Sequence, residues 1–440
     1  MKCRIILLTI ISSGLFFTFT EKNLFARNLG EIIKLAENNL QLKAAGAKTK
    51  SLLKAYQAAK GANYPRLDLG YNATYLQDKP VMYPDMPMGP KEWQIGPQNN
   101  YEGFLTLSYP LFKGFAVTAS IDKAKLESLK AGLEEQDVKR QINMSIVSLY
   151  TQTVAAKQAI TAKTRALDAA KESMKKAEGF YDKGLIPVSE VYNIKAGAHE
   201  IEANLIHTKN KKKMLLNQLS YFVDTQINDV EGLPDYQDLD LSGLIKEALQ
   251  EREDIKALQL ALEIKEHEIT IAKSGNYPEI SLFAQAKRTG DGMDIDGDDF
   301  TNKNKSAAGV IFSYNLFDGY AVRNKIAAAK QNAVMVKHLY NDYKQQIRTE
   351  ITNSYLAFKS LQEELCAADK RFKAQKAFYR LTKGRFDNQL VSMDELSRAI
   401  ADLATARAKY FALKAGLYEY YSRLLLEVSL KKFTDAHRLW

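Results

Sequence analysis

Three aspartates at two-residue spacing are the clearest candidates for metal chemistry in this chain. Asp294, Asp296 and Asp298 lie in the segment GDGMDIDGDDF, residues 290–300. Carboxylates at this spacing can bind calcium, but the glycine and the twelfth-position glutamate of the EF-hand spacing are missing. We therefore interpret 290–300 as an acidic, solvated loop without an assigned metal, although the sequence leaves calcium binding open.

A second loop, at 78–100, carries soft ligands. Met82, Met86 and Met88 lie near Trp93, and thioethers are suitable ligands for Cu(I). Five of the ten prolines of the chain fall in the same stretch, which favours an irregular extracellular loop. Metal binding by this loop also stays open.

The residue patterns of common enzymes are missing from the sequence. HEIEA at 199 and HEITI at 267 lack the second histidine of a zinc protease motif. The sequence has no P-loop, so any energy for transport must come from a partner. We predict that the protein is not an enzyme and assign no catalytic residue, cofactor or metal.

The sequence contains an internal repeat that covers most of the chain. SYPLFKGFAV at 108–117 recurs as SYNLFDGYAV at 313–322, and NYPRLDL at 63–69 recurs as NYPEISL at 276–282. A period near 200 residues indicates a duplicated domain rather than a solenoid. The predicted divisions are a first repeat at 27–225, an equatorial linker at 226–240, a second repeat at 241–430 and a C-terminal tail at 431–440.

Two segments in each copy alternate apolar and polar side chains. They are RLDLGYNATYLQ and FLTLSYPLF in the first copy, and EISLFAQAK and SAAGVIFSYNLF in the second. A period of two predicts β-strands, and their length of about 9–12 residues suits tilted strands that cross a bilayer. The sequence therefore predicts β-hairpins at 66–112 and 279–317.

Long helices follow each hairpin. No proline occurs from Phe115 to Lys183 or from Tyr320 to Phe386, which predicts long helix pairs at 115–225 and 320–430. Each first helix would be about 100 Å long at 1.5 Å per residue. Apolar steps of four and three, as at Ile142, Ile146 and Leu149, indicate coiled-coil packing. A single helix is predicted before each hairpin, from Leu29 to Asn63 and from Leu241 to Asn276.

Four strands are too few for one chain to close a membrane barrel. The smallest such barrels have eight strands, and an open edge in lipid leaves unpaired backbone groups that cost several kcal/mol each. Two or three copies would supply eight or twelve strands. The strands therefore predict an oligomer.

The chain resembles the TolC-like outer membrane efflux protein family. The resemblance rests on LGEIIKLAENNLQLKAA at 29–45, the paired NYP segments, the LF-x-G pairs at 111–114 and 316–319, and one break in each long helix pair. It implies a mainly helical fold, with an α-helical barrel across the periplasm and a twelve-stranded β-barrel in the lipid of the outer membrane. It also implies a homotrimer that serves as the passive exit duct of a tripartite efflux or type I secretion system. The partners would be a periplasmic adaptor, or membrane fusion protein, and an inner-membrane transporter.

The two helical breaks are the candidate docking tips. In KGLIPVS, at 183–189, Gly184 is suited to end a helix and Pro187 to begin the next. In NQLVSMDE, at 388–395, Ser392 is a candidate N-cap with Glu395 three residues later. Apolar residues at exposed tips suit a partner's helical hairpin. The predicted docking residues are Gly184, Leu185, Ile186, Pro187, Ser189, Leu390, Val391 and Ser392.

The resemblance also points to an acidic aperture. Asp394 matches an acidic residue that lines the family's constriction, and Glu395 follows it. Three copies of Asp394 would form a negative ring that attracts cations. Ser397 stands where a second acid is expected, so the pattern predicts one ring rather than two.

The N-terminus indicates where the protein is located, and the charge distribution limits its possible partners. Lys2 and Arg4 precede an apolar run, and Ala26 is a possible cleavage point, which predicts a signal peptide at 1–26. The net charge is +10, but acids and bases are interleaved along the helices. We therefore expect an exported protein without a nucleic-acid partner. The family resemblance implies a position in the outer membrane that extends into the periplasm. The main alternative is an exported periplasmic coiled-coil adaptor without a pore, which would explain the helices but not the hairpins.

Overall fold

The computed structural model describes residues 26–437 except 86, 88 and 90. Nearly all of the predicted signal peptide, 1–26, therefore lies outside the described residues, and so do Met86 and Met88 of the proline-rich loop.

The two halves of the chain share one order of main elements, to which the first half adds β2 and β3 and the second half adds α9. The first half contains α1 (Leu29–Leu35), α2 (Leu40–Lys60), β1 (Arg66–Tyr75), β2 (Val81–Met82), β3 (Trp93–Gln94), β4 (Asn99–Lys113), α3 (Ala116–Asp182) and α4 (Val188–Val223). The second half contains α5 (Leu241–Glu251), α6 (Glu253–Lys273), β5 (Glu279–Gly290), β6 (Asn304–Ser313), α7 (Ala321–Asp387), α8 (Met393–Val428) and α9 (Leu430–His437). The long helices α3 and α7 both have 67 residues, and α4 and α8 both have 36. None of the described helices combines the length and the apolar content needed to cross a membrane.

One antiparallel sheet joins the hairpins of the two halves. Its strand order is β1-β4-β5-β6, and β2 and β3 form a separate two-stranded ribbon. The β4–β5 pairing, in which Leu105 lies opposite Ala286, brings the two repeats together. Among the described strands, β1 pairs only with β4 and β6 only with β5, so both outer edges of this sheet are unpaired.

The LF-x-G motif makes the turn from strand or loop into each long helix. Gly114 and Phe115 have φ of 56° and 67°, and Gly319 and Tyr320 have φ of 65° and 67°. Two consecutive left-handed residues are unfavourable for L-amino acids, which explains a glycine at the first position. At Gly114 a Cβ would also lie 2.6 Å from the Ser274 carbonyl oxygen.

The predicted single helix before each hairpin is wrong in both halves. The first breaks at Asn39, whose side-chain oxygen accepts hydrogen bonds from the backbone N–H of Gln41 and Leu42 at 2.8 and 3.3 Å. The second breaks at Arg252, which has an extended backbone and a buried side chain. An N-cap satisfies the exposed N–H groups of the new helix, so a break at Asn39 is favoured locally.

The described chain forms two compact units, each with segments from both repeats. The first comprises the segment that ends at Leu35, with Leu149–Pro234 and Arg371–Ala415. The second comprises Ala36–Ser148, Asp235–Lys370 and the segment that begins at Gly416.

A buried charge cluster holds α3, α6 and α7 together in the second unit. Arg140 contacts Asp137 and lies 3.0 Å from Asp254, whose carboxylate also accepts a 2.6 Å hydrogen bond from the Tyr343 hydroxyl. Burial disfavours the charged guanidinium, but the neighbouring carboxylates outweigh it and raise the pKa of Arg140. Burial and the bond to Asp254 raise the pKa of Tyr343 to about 12. Pairing is essential here, because an unpartnered charge in a protein interior is strongly destabilising.

The same cluster extends to the C-terminal helices. Glu427 accepts hydrogen bonds from Ser354 at 2.9 Å and Arg423 at 2.7 Å, and Glu253 accepts one from the Leu430 backbone N–H at 2.9 Å. Burial raises the pKa of both carboxyl groups. The break at Arg252 is therefore a tertiary feature, since it places charged side chains against α8 and the start of α9.

Candidate functional site

The first break is a compact helix end followed at once by a new helix. Gly184 has φ of 72°, and its N–H donates to the Tyr181 carbonyl at 2.7 Å. The Leu185 N–H donates to the Phe180 carbonyl at 2.9 Å. These two bonds define a Schellman motif, which satisfies the last carbonyls of α3. The prediction that Gly184 ends a helix is confirmed. Pro187 occupies the N-cap position of α4, one residue before the helix begins.

The second break repeats this geometry without a glycine. Gln389 has φ of 59°, its N–H donates to the Phe386 carbonyl at 2.8 Å, and the Leu390 N–H donates to the Arg385 carbonyl at 2.9 Å. The Ser392 hydroxyl accepts a hydrogen bond from the Glu395 N–H at 3.3 Å. The predicted N-cap at Ser392 is confirmed, whereas the left-handed Gln389 carried no sequence signal.

A small apolar core lies beneath both breaks. Its buried members are Ala166, Ala177, Ile194, Phe386, Met393, Leu396 and Ile400. The Phe180 and Phe386 rings lie 5.9 Å apart between centroids, and Ile186 and Val391 pack against the same cluster. Ile186 and Val391 are therefore half-buried, which differs from the exposure that the sequence led us to expect.

Two leucines project from the breaks instead. Leu185 is 52% exposed and Leu390 is 67% exposed, and each follows the left-handed residue of its Schellman motif. Val188 and Tyr192, in the first turns of α4, are also exposed at 43% and 65%. Ser189 and Ser392 are exposed beside them. Exposed apolar groups of this size, close together, are typical of surfaces that bind another protein.

Ion pairs between α3 and α7 support the breaks. Lys176 lies 2.7 Å from Asp387, and Lys383 lies 3.2 Å from Glu172. The hydrogen bond with Asp387 raises the pKa of Lys176. Sequence reasoning missed both pairs, because their members are far apart in the chain and no local spacing indicates the contact.

The predicted aperture acids lie in the first turn of α8. The Asp394 carboxylate is exposed and lies 2.6 Å from the Arg398 guanidinium, four residues later on the same helix. Glu395 is half-buried at the N3 position. The helix dipole favours an acidic residue at a helix N-terminus, so the position of Asp394 suits its residue type.

The acidic loop considered for metal binding has other contacts. Asp296 lies 2.7 Å from Arg288 and 3.1 Å from Lys303, and Asp298 accepts backbone hydrogen bonds from Phe300 and Thr301. Across the described part of the chain, no three His, Cys, Asp or Glu side chains converge as metal ligands.

Solved structures share this fold over nearly the whole chain. The outer membrane protein VceC of Vibrio cholerae matches with a TM-score of 0.76 at 18% identity, over 91% of this chain and 95% of that one. The CmeC outer membrane channel of Campylobacter jejuni matches with a TM-score of 0.75 at 16% identity, over 92% and 85%. The open state of the MtrE outer membrane channel of Neisseria gonorrhoeae matches with a TM-score of 0.69 at 18% identity, over 91% and 88%. These matches confirm the predicted fold class.

Sequence comparison identifies the family. No curated protein sequence matches the chain. The sequence model of the family described as outer membrane efflux protein, however, matches residues 32–221 and 244–425, one segment in each repeat. These segments cover most of the chain and include both breaks, so the chain belongs to the outer membrane efflux protein family.

Proposed function

We propose that three copies of this chain assemble into one channel whose twelve strands close a barrel. Its family makes the protein an outer membrane channel of an efflux system, which extends into the periplasm. The observation that carries the assembly is the sheet β1-β4-β5-β6, with its two unpaired outer edges.

Edge pairing between copies supplies the missing hydrogen bonds. An unpaired strand edge in lipid costs several kcal/mol for each unsatisfied backbone group, so β1 of one copy would pair with β6 of the next. Exposed apolar side chains on both outer strands, such as Leu69 at 84% and Phe312 at 65%, suit contact with lipid.

The assembly is tested on the mature protein extracted from outer membranes in a mild detergent. We expect a mass of three chains and stepwise conductance in planar lipid bilayers. A water-soluble protein without conductance would overturn the channel and favour a pore-less coiled-coil adaptor.

We further propose that the two breaks dock a periplasmic adaptor, which links the channel to an inner-membrane transporter. Leu185 and Leu390 support this role, because they occupy equivalent positions of two Schellman motifs and expose apolar surface to solvent. A few side chains that fill well-packed pockets on a partner carry most of the binding energy of an interface. Because such a channel has no energy source of its own, the transporter would drive export.

Docking is tested by Leu185→Asp and Leu390→Asp in cells that carry the native adaptor and transporter. We expect both variants to accumulate ethidium while their conductance in planar bilayers stays normal. Leu129→Asp is the control, because Leu129 lies on α3 away from the break and is 53% exposed. Normal ethidium efflux in both tip variants would exclude docking at these leucines.

We also propose that Asp394 and Glu395 line the periplasmic aperture. The exposed Asp394 carboxylate supports this position, because it lies in the first turn after the break. Its contact with Arg398 would moderate the negative charge of the opening.

A further inference from the structure

A groove between α3, α7 and α8, within the first compact unit, is set apart by its charge. Its volume is about 770 Å³, which falls in the range of roughly 300–1,000 Å³ typical of small-molecule sites. We call it the basic groove. Its basic lining residues are Arg165, Lys373, Lys376, Arg380, Lys383 and Arg407, and none of the described residues that line it is acidic.

The positive charge of the basic groove is only partly compensated, although Lys373 has an interaction partner. Lys383, at one end, lies 3.2 Å from Glu172. Within the described residues, no carboxylate forms an ion pair with Arg165, Arg380 or Arg407. Like charges that line one partly desolvated groove repel each other, so the groove attracts an anion.

Arg407 carries a polar atom that needs a partner. Its Nε is buried and has no hydrogen-bond partner among the described residues. Burial and the nearby Arg165 guanidinium lower the pKa of Arg407, which means that its surroundings disfavour the charge it carries. A buried N–H of a charged group is normally satisfied, so this atom indicates a missing acceptor.

The remainder of the groove is apolar and partly aromatic. Its floor consists of small and aliphatic side chains, Ala162, Ala166, Ala169, Ala377, Ile400, Leu403 and Ala404. Phe372 lines one end and stacks on Tyr410, with ring centroids 5.9 Å apart and planes 19° apart. Arginines and aromatic rings together suit a ligand with a flat body and an anionic head.

We propose that the basic groove binds an amphipathic organic anion, such as an aryl sulfonate, carboxylate or phosphate. The anionic head lies between Arg165 and Arg407 and accepts the Arg407 Nε–H. The flat body covers the alanine floor next to Phe372. The exposed leucines of the docking tips lie outside the groove lining, although Ala166 and Ile400 belong both to the groove floor and to the apolar core beneath the breaks.

The test uses the full mature protein in dodecyl maltoside and the water-soluble dye pyranine, a pyrene that carries three sulfonates. Fluorescence anisotropy at low salt measures its binding. We expect saturable binding with about one dye per chain, and affinity at least about tenfold weaker in Arg407→Gln, the size expected for a lost hydrogen bond to a charged group. Absence of saturable binding to the unmodified protein would overturn the proposal.

Two further variants keep the test decisive. Arg165 is exposed, so Arg165→Gln should fold normally and should also weaken pyranine binding. Lys409→Gln, an exposed lysine of α8 outside the groove, should leave binding unchanged. Equal loss in all three variants would reveal a non-specific charge effect and overturn the site.

Competition experiments show whether the apolar body of the ligand contributes to binding in addition to its anionic head. Naphthalene-1-sulfonate should displace pyranine at lower concentration than inorganic sulfate, because only the former covers the apolar floor. Displacement at equal concentrations would overturn the amphipathic ligand class.

Discussion

At the residue scale, the Asp394–Arg398 pair decides how much charge the proposed aperture presents. Both side chains are more than half exposed and lie 2.6 Å apart, so water and salt screen the pair. Even when it is screened, Arg398 adds a positive charge beside each Asp394, so a ring of Asp394 would be less negative than three isolated carboxylates.

Variants of this pair should shift ion selectivity in opposite directions. Arg398→Ala should increase the preference for cations, because Asp394 loses its counter-charge, and Asp394→Ala should reduce it. Reversal potentials in a KCl gradient across a planar bilayer measure both. Lys409→Ala removes a positive charge elsewhere on α8 and serves as the control; identical potentials in all variants would exclude Asp394 from the aperture.

The two left-handed tip residues allow a matched backbone test. Gln389→Gly should stabilise its break by about 1 kcal/mol, and Gly184→Ala should destabilise its own by about the same amount, because only glycine adopts positive φ without strain. Hydrogen exchange of the Leu390 and Leu185 amides reports each local opening.

A helical glycine provides the control. A Cβ on Gly179, within α3, would meet no atom within 4 Å, so Gly179→Ala should not destabilise the first break. Slower exchange of Leu185 in Gly184→Ala would contradict the backbone argument.

At the two breaks, residue types predicted the helix end and the N-cap but not which apolar side chains are exposed. Gly184 and Ser392 are the usual residues for a helix end and an N-cap, and the structure uses them so. Ile186 and Leu185 look alike in sequence, yet only tertiary packing decides that the first is half-buried and the second exposed. The basic groove was missed for the same reason, since its arginines come from three distant segments.

At the element scale, α9 is attached through a histidine that must stay neutral. The His437 Nδ1 lies 2.9 Å from the Phe433 carbonyl, so it carries the proton and donates; Nε2 then accepts from the Tyr418 hydroxyl at 2.8 Å. Burial lowers the pKa of His437. The stability that this contact contributes is therefore present above the unfolded pKa, about 6.5, and is lost as the pH falls towards the lowered value.

Acid should therefore loosen α9. Hydrogen exchange across 430–437, corrected for the intrinsic rate, should be less protected at about pH 5 than at about pH 7.5. His437→Phe keeps the aromatic contact with Phe433, whose ring centroid lies 4.3 Å away, but cannot be protonated, so it should abolish this dependence. Equal pH dependence in both proteins would show that another group titrates.

Element periodicity in the sequence predicted the strands and long helices, but not the breaks before the hairpins. Alternating side chains and the absence of proline are properties of neighbouring residues, so they predict strands and long helices without knowledge of the tertiary contacts. The break at Arg252 depends instead on burial against Asp254 and Glu427, which are brought together only by the fold.

At the scale of the whole molecule, the two faces of β1 should differ in their tolerance of charge. Leu69 is 84% exposed on the apolar face, whereas Asn72 lies on the opposite, polar face. An arginine on a lipid-facing position costs about 2–4 kcal/mol at mid-membrane, whereas one facing the lumen is tolerated. Leu69→Arg should therefore reduce the heat-modifiable, folded channel in outer membranes, and Asn72→Arg should not. Equal effects of both would contradict a lipid-facing Leu69.

The sequence predicted an oligomer from strand number alone, but not the order of the strands. Hairpins signal their own pairing through short-range alternation, as for Leu69 opposite Leu105. The β4–β5 pairing joins Leu105 to Ala286 across most of the repeat, and nothing in either strand singles out that partner.

The buried residues Arg252 and Glu253 also show a difference between the two copies of the repeat. In the repeat alignment, Arg252 corresponds to Asn39 and Glu253 to Leu40. Glu253 is 5% exposed, while Leu40 is 69% exposed, so the usual preference is inverted at both sites. If the first copy were repeated twice, the chain would lack the buried charged residues Arg252 and Glu253. If the second copy were repeated twice, the same charged residues would also stand at the positions of Asn39 and Leu40, the second of which is exposed. This pair of charged residues therefore belongs to the second copy alone, although the neighbouring Asp254 also pairs with Arg140 of the first.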